Sequence, residues 1–262
     1  MRFGCCIRTA EQMHVMAQAG YDFCELPAAA VRPFEDEAAA LPALREIAAA
    51  PLRPEAFNVL VPAQLPIAGP KADLNVLRTY LRRAFPRMAQ VGAALAVLGS
   101  GAARHIPDDV SRDRGLDQVA DALSLAAEEA GHAGLELALE PLNRTESNVF
   151  NTLASSHAFI QDRGLGRVRL VADLHHIEVE REPLRHVVDA APLLAHVQVA
   201  DGGRKAPGGG GYDYPGFMRA LRAAGYDRRI SAECQWDDLA AQAAGALAFM
   251  RQQWEGSVPA LA

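Results

Sequence analysis

Basic residues never gather into a stripe in this 262-residue chain, and the formal net charge is −6. That removes the electrostatic footprint of a nucleic-acid-binding domain. No apolar run is long enough to span a bilayer. The opening segment Met1-Arg2-Phe3-Gly4-Cys5-Cys6-Ile7 enters a predicted strand directly, without the apolar core of a signal peptide. The expectation is a soluble, cytoplasmic protein with no membrane or nucleic-acid partner. Cysteines are few: Cys5, Cys6, Cys24 and Cys234, all in predicted strands and none in a C-x-x-C pair. They read as buried free thiols of a reducing compartment. Aromatics are scarce at 6 %, yet half of the residues are hydrophobic, enough for a large core, and the frequent alanines let helices pack closely on a sheet. No Pro/Gly-rich linker divides the composition, so residues 1–262 read as one domain.

Short apolar strand candidates fall at residues 3–7, 21–26, 55–61, 94–99, 135–140, 168–173, 195–200 and 229–234. Amphipathic helical stretches separate them. Thr9 can cap the first. Residues 116–130 place Leu116, Val119, Ala120, Leu123 and Ala127 at helical spacing, and residues 215–224 do the same with Phe217, Met218 and Leu221 before a stop at Gly225. A last helix is expected over 238–252. Strand–helix alternation implies parallel strands with helical crossovers. Eight such units in about 250 residues favour an α/β fold of the (β/α)8 TIM barrel type over an open doubly wound sheet.

Barrel enzymes carry their chemistry at the C-terminal strand ends. Here Glu140, Asp173 and Glu233 close apolar runs on the fifth, sixth and eighth strands, and Gln198 sits near the end of the seventh. Singly, each acid reads equally well as a helix cap or a solvated strand end. Together, carboxylates in one mouth would repel unless a cation joined them. The set is all oxygen if Gln198 binds through its amide oxygen, which favours one divalent Mn²⁺ or Mg²⁺ ion, with Co²⁺ possible. His176, three residues after Asp173, is close enough to polarise a substrate oxygen, while His175 points elsewhere if the strand continues. His196 shares a strand face with Gln198, as a supporting group or as core. The segment 202–211, rich in glycine and carrying Arg204 and Lys205, reads as a flexible lid. Gly99-Ser100-Gly101, followed by Arg104, lies at the mouth; Trp236 lines the substrate pocket or packs under the last helix.

At these residues the sequence resembles the xylose-isomerase-like barrel superfamily of sugar isomerases and epimerases. Glu140-Pro141-Leu142-Asn143-Arg144-Thr145-Glu146 is similar to the E-P-L-N-R-x-E motif of ketose 3-epimerases, and Asp173-Leu174-His175-His176 to their D-x-x-H. The segment from His196 to Pro207 resembles the H-x-Q-x-A-D pattern of hydroxypyruvate isomerase with its later Arg. Ser231-Ala232-Glu233 matches the position that supplies the last metal ligand. The resemblance implies Glu140, Asp173, Gln198 and Glu233 as metal ligands, Glu140 and Glu233 as the acid/base pair, and Glu146, His176 and Arg204 as substrate contacts. Ketose 3-epimerases usually place His where this chain has Gln198, so the chain joins two patterns.

The implied reaction removes the carbon-bound proton beside the carbonyl of a ketose or small hydroxy-ketone, giving an enediolate stabilised by the metal. Relatives of this kind are often dimers or tetramers, which implies a homo-oligomer. A metal-dependent lyase on the same scaffold would begin with the same proton abstraction, acting on an inositol-type ketone or a C-glycoside. A non-catalytic sugar-binding barrel would have little reason to keep two metal-bound Glu. An apurinic endonuclease would need more His ligands and a less acidic surface.

Overall fold

A computed structural model describes residues 1–257. Its elements run β1(Arg2–Cys6), α1(Ala10–Ala19), β2(Phe23–Pro27), α2(Glu37–Ala49), β3(Pro54–Asn58), α3(Leu74–Gln90), β4(Leu95–Leu98), α4(Arg112–His132), β5(Glu136–Leu139), α5(Leu153–Asp162), β6(Val168–Asp173), α6(Leu174–Glu180), α7(Arg185–Asp189), β7(Leu194–Val199), α8(Tyr214–Ala223), β8(Arg229–Ala232) and α9(Leu239–Gly256). The eight strands form a closed parallel barrel in chain order. Closure is direct: β1 pairs with β8, Phe3 opposite Ile230 and Gly4 opposite Ser231. The open-sheet alternative is therefore excluded.

Side-chain caps start most of the helices. Thr9 forms a capping box with Gln12 at the start of α1, and Gly20 ends that helix in the left-handed conformation that glycine adopts without strain. Asp36, Asp73, Asp213 and Asp238 cap α2, α3, α8 and α9 with side-chain oxygens. Chain reversal after α8 uses Gly225 at φ 66°. The third strand is shorter than its apolar run suggests. It stops at Asn58 because Val59 takes a positive φ of 46°, which turns the chain out of the ladder.

Between barrel and helices lies a continuous aliphatic core that includes Met13, Met16, Leu44, Leu81, Leu123 and Leu221. A second buried cluster, Ala56, Leu95, Val97, Ala138, Val171 and Ala195, comes from the consecutive strands β3 to β7. Buried polar groups also occupy the interior. Glu25 of β2 contacts His196 and Gln198 of β7, two strands that are not neighbours in the sheet, so these side chains meet across the lumen. Among the described residues no helix is long and apolar enough to cross a membrane. All four cysteines are free; Cys5 and Cys24 are buried, whereas Cys234 lies just past β8 rather than inside a strand.

Gly4 leaves room for the Phe23 ring of the neighbouring strand, since a Cβ there would overlap it. Gly4→Ala is expected to destabilise the barrel by about 1–3 kcal/mol through overpacking, read as a lower midpoint in denaturant with unchanged far-UV circular dichroism.

Candidate active site at the barrel mouth

Three acids and one amide stand at the C-terminal ends of β5 to β8, held by continued ladder pairing. Glu140 lies one residue past β5, yet its N–H still donates to the Leu98 carbonyl at 3.1 Å. Gly99 faces it, and any Cβ there would take the place of the Glu140 carboxylate. Asp173 ends β6 and caps α6: its Oδ1 accepts the His175 N–H at 2.7 Å, while the buried Oδ2 has no hydrogen-bond partner. Gln198 is the strand partner of Asp173 on one side and of Ser231 on the other. Glu233 follows β8, its N–H on the Val199 carbonyl at 2.9 Å. Its carboxylate accepts from Asn58 Nδ2 at 3.3 Å and lies 3.5 Å from Arg204 Nη1.

His176 reaches the same mouth, with Nε2 3.6 Å from Glu140 Oε1 and 3.9 Å from Asp173 Oδ2. Glu140, Asp173 and His176 can bring one ligand atom each to within 4.8 Å of the others, as can Glu146, His175 and His176. His176 Nδ1 accepts both the N–H and the Nδ2–H of Asn143, at 2.9 and 3.0 Å. Burial opposes a charge on the ring and the two carboxylates outweigh it, raising its pKa. Nδ1 is thus occupied by Asn143, and Nε2 is the ring atom that faces the acids and Arg204. Its neighbour His175 lies in the first turn of α6, since the strand does not continue past Asp173; its ring stands beside His176, and its Nδ1 is 3.0 Å from the Tyr212 hydroxyl.

Arg204 spans the mouth. Nη2 lies 3.0 Å from Glu146 Oε1 and 3.1 Å from His176 Nε2. Its carbonyl accepts the Gln235 N–H at 2.7 Å, which ties the loop after β7 to the loop after β8. The glycine-rich segment read from composition as a flexible lid is held, in this structure, by these contacts at its base. The Asp201 carboxylate accepts N–H groups of Gly202, Gly208 and Gly210 at 3.2, 3.0 and 2.8 Å. Glycine is required there by positive φ at residues 203, 208, 210 and 211.

Burial, then the charge of Asp173, raises the Glu140 pKa against the opposing pull of His176 and Arg104. Burial and then the charges of Glu140, Asp173 and Glu25 push Glu233 well above the carboxylate range. Glu146 is held low, because Arg204 outweighs the cost of burial. Acids raised in part by neighbouring carboxylates, Glu140 by Asp173 and Glu233 by Glu140 and Asp173, are acids short of positive charge. Oxygen donors with unpartnered buried lone pairs, Asp173 Oδ2 and Gln198 Oε1, stand beside them. The residues present thus fit a hard divalent cation.

Sequence reasoning did not single out Glu25, and it placed Arg104 at the mouth and Asn143 in a motif without giving either a role. Glu25 is fully buried and accepts from Gln198 Nε2 at 2.9 Å and His196 Nε2 at 2.8 Å. Burial opposes its charge, but His196, Ser231 and Cys6 together hold its pKa below the usual value. Arg104 is also fully buried. It donates to the Glu140 and Leu98 carbonyls at 2.8 and 3.3 Å and to Ser147 Oγ at 3.2 Å, bracing the ends of β4 and β5. Burial lowers its pKa to about 10 against the fields of Glu140 and Glu146, which leaves it cationic at neutral pH. Asn143 fixes both His176 and Glu146, the latter through Nδ2 at 3.0 Å. Trp236 packs against the core.

A family model described as the xylose isomerase-like TIM barrel matches residues 13–253. The 3-dehydro-D-guloside 4-epimerase of Escherichia coli is 34 % identical over 121 residues, 46 % of this chain and 45 % of that protein. The D-psicose 3-epimerase of Agrobacterium fabrum is 26 % identical over 231 residues, 83 % of this chain and 76 % of its own. A putative hydroxypyruvate isomerase of Streptomyces coelicolor is 37 % identical over 129 residues, 46 % of each chain. The alignment thus spans less than half of the first and third of these relatives. Among solved structures, the apo 3-keto-D-glucoside 4-epimerase of Escherichia coli superposes with a TM-score of 0.81 at 24 % identity, covering 96 % of this chain and 99 % of that one. A D-psicose 3-epimerase crystallised in the presence of D-fructose superposes with a TM-score of 0.83 at 20 % identity, covering 98 % and 100 %. At these identities the superpositions speak to fold. The family model spans nearly all of the barrel, and the chain belongs to the xylose isomerase-like TIM barrel family.

Proposed function

We propose that the protein is a divalent-metal-dependent isomerase or epimerase of a ketose or small hydroxy-ketone. One observation carries the reading: Glu140 and Glu233, both raised in pKa, converge with two unpartnered buried oxygens at one barrel mouth. Glu140, Asp173, Gln198 and Glu233 would hold the cation, and their oxygen set favours Mn²⁺ or Mg²⁺, with Co²⁺ a third choice. When bound, the cation supplies Lewis-acid polarisation of the substrate's carbonyl and neighbouring hydroxyl.

The protein's own groups move the protons. Glu140 and Glu233 stand at the ends of β5 and β8, with two strands between them, and approach a bound substrate from two sides. One takes the proton from the carbon next to the carbonyl. The other returns a proton to the opposite face of that carbon, giving an epimer, or one of the pair delivers it to the adjacent carbon, giving an isomer. His176 presents Nε2 and Arg204 its guanidinium to substrate oxygens, while Glu146, fixed by Asn143, accepts a hydroxyl. Beside Glu233 a cavity of about 360 Å³, lined by Cys6, Arg8, Asn58 and Val59 among others, has room for the rest of a sugar chain. The named activities of the relatives, on D-psicose, on 3-dehydro-D-guloside and putatively on hydroxypyruvate, support substrates with a carbonyl beside a hydroxyl-bearing carbon.

Solvent deuterium exchange tests this reading. Chelator-stripped protein is reloaded with Mn²⁺ or Mg²⁺ and incubated in D₂O with D-psicose, L-ribulose and hydroxypyruvate. Metal-dependent exchange at the carbon beside the carbonyl is expected, and Glu233→Gln should slow it by about 10²-fold or more. Full exchange by a Glu233→Gln variant that still binds metal would sink the acid/base assignment.

A second expectation concerns stability in chelator. Carboxylates whose folded pKa lies above the unfolded value of 4.5 bind more protons in the folded state. The metal-free protein therefore loses stability as pH rises from about 4.5 through the raised folded pKa values. Glu233→Gln should melt higher than the wild type in chelator at pH 8, and the difference should shrink toward pH 5. Equal melting of the two proteins across this range would contradict the charge crowding.

A further inference from the structure

Gln198 is the one member of the proposed ligand set whose side chain has a wrong end. A primary amide is nearly symmetric in shape, so its neighbours decide which way it faces. Here the deciding neighbour is Glu25, fully buried on β2 across the lumen from β7. Its Oε1 is 2.9 Å from the Gln198 amide nitrogen, and its Oε2 is 2.8 Å from His196 Nε2. A carboxylate oxygen offers lone pairs only, so the amide must turn its NH₂ toward Glu25 and its oxygen away. That oxygen is the buried Oε1 without a partner, on the residue that pairs in register with Asp173, whose Oδ2 is likewise unpartnered.

We propose that Glu25 is a positioning residue of the metal centre: it fixes the Gln198 amide so that oxygen, and not nitrogen, is presented to the cation. His196 occupies the second Glu25 oxygen and holds the carboxylate in place, two residues along the same strand face. Glu25 touches neither cation nor substrate in this arrangement. It acts through Gln198, as hydrogen-bonded outer groups orient metal ligands elsewhere. The proposal rests on the metal-site reading above.

The test is direct Mn²⁺ binding by calorimetry on chelator-stripped wild type, Glu25→Gln, Gln198→Met, the double variant and Asp173→Asn, with metal-free melting recorded for each. Glu25→Gln introduces an NH₂ of its own, so the Gln198 amide is free to flip. It should weaken Mn²⁺ binding by about 10–100-fold. Added to Gln198→Met, the same change should alter binding by less than about twofold, because its route to the cation has gone. If Glu25→Gln does not fold, Glu25→Asp keeps the charge but withdraws it by one methylene, and it should give a smaller loss that also vanishes with Gln198→Met. A lower metal-free melting point with Mn²⁺ affinity unchanged would overturn the proposal and leave Glu25 a lumen-filling group. So would losses from Glu25→Gln and Gln198→Met that simply multiply. Asp173→Asn separates the two levels. If it loses Mn²⁺ while Glu25→Gln retains it, only the role of Glu25 falls; if Asp173→Asn binds Mn²⁺ normally, the metal-site reading itself falls.

Discussion

Carboxylate repulsion in a desolvated space is the constraint on which the rest of the structure depends. Glu140, Asp173 and Glu233 crowd the mouth, and Glu25 lies beneath them, all with little or no access to water except Glu233 at 22 % side-chain exposure. An isolated buried carboxylate is costly, and several together are costlier. The protein balances the lower acid internally: Glu25 has His196, Gln198 and the Ser231 and Cys6 side chains around it. The upper three are balanced only in part. Arg204 is shared with Glu146, His176 offers one ring nitrogen, and Arg104 reaches the Glu140 carbonyl rather than its carboxylate. The residual imbalance appears as the raised pKa values of Glu140 and Glu233, and it is what a divalent cation would relieve.

Rigidity at the mouth comes from the barrel ladder. Glu140 and Glu233 lie outside β5 and β8, yet each still donates its N–H to the neighbouring strand. Asp173 is fixed differently. Capping α6 uses one of its oxygens and so sets the direction of the other. Loops are tied in by the same economy of polar groups: Asp201 gathers the glycine-rich turn, Asn143 gathers His176 and Glu146, and Arg104 joins the ends of β4 and β5. A site of this kind needs its groups held to within a fraction of an ångström, which loops achieve only when their backbone donors are occupied.

The barrel was legible because eight short apolar runs alternate with helical patterns, and several of those runs end in a polar residue. The same feature exposed Glu140, Asp173 and Glu233. Glu25 has a similar local signature, an acid within the apolar segment Phe23-Cys24-Glu25-Leu26, but its partners are 171 and 173 residues away. Only lumen closure brings β2 opposite β7. Arg104 lay in a loop whose glycines suggested a pocket wall, and its burial depends on carbonyls at two strand ends. The contacts of the turn after β7 were not legible, because glycine content reports backbone permissiveness and not which groups the turn meets. Asp201, with three N–H groups to accept, was the informative residue.

Ligand chemistry explains why a fully buried acid belongs under this mouth. A carboxylate ligand presents an oxygen whichever way its group is rotated by half a turn. A neutral imidazole presents a lone pair at whichever nitrogen lacks the proton, and the proton can change places. An amide has a fixed oxygen and a fixed NH₂, and the NH₂ cannot ligate. Using Gln198 keeps the donor set neutral at one position, which limits the repulsion already present among three carboxylates. It also creates an orientation problem that the other three proposed ligands would not have. An acceptor with no hydrogen to offer, held immobile in the lumen, solves it, and Glu25 with its His196 partner has that chemistry.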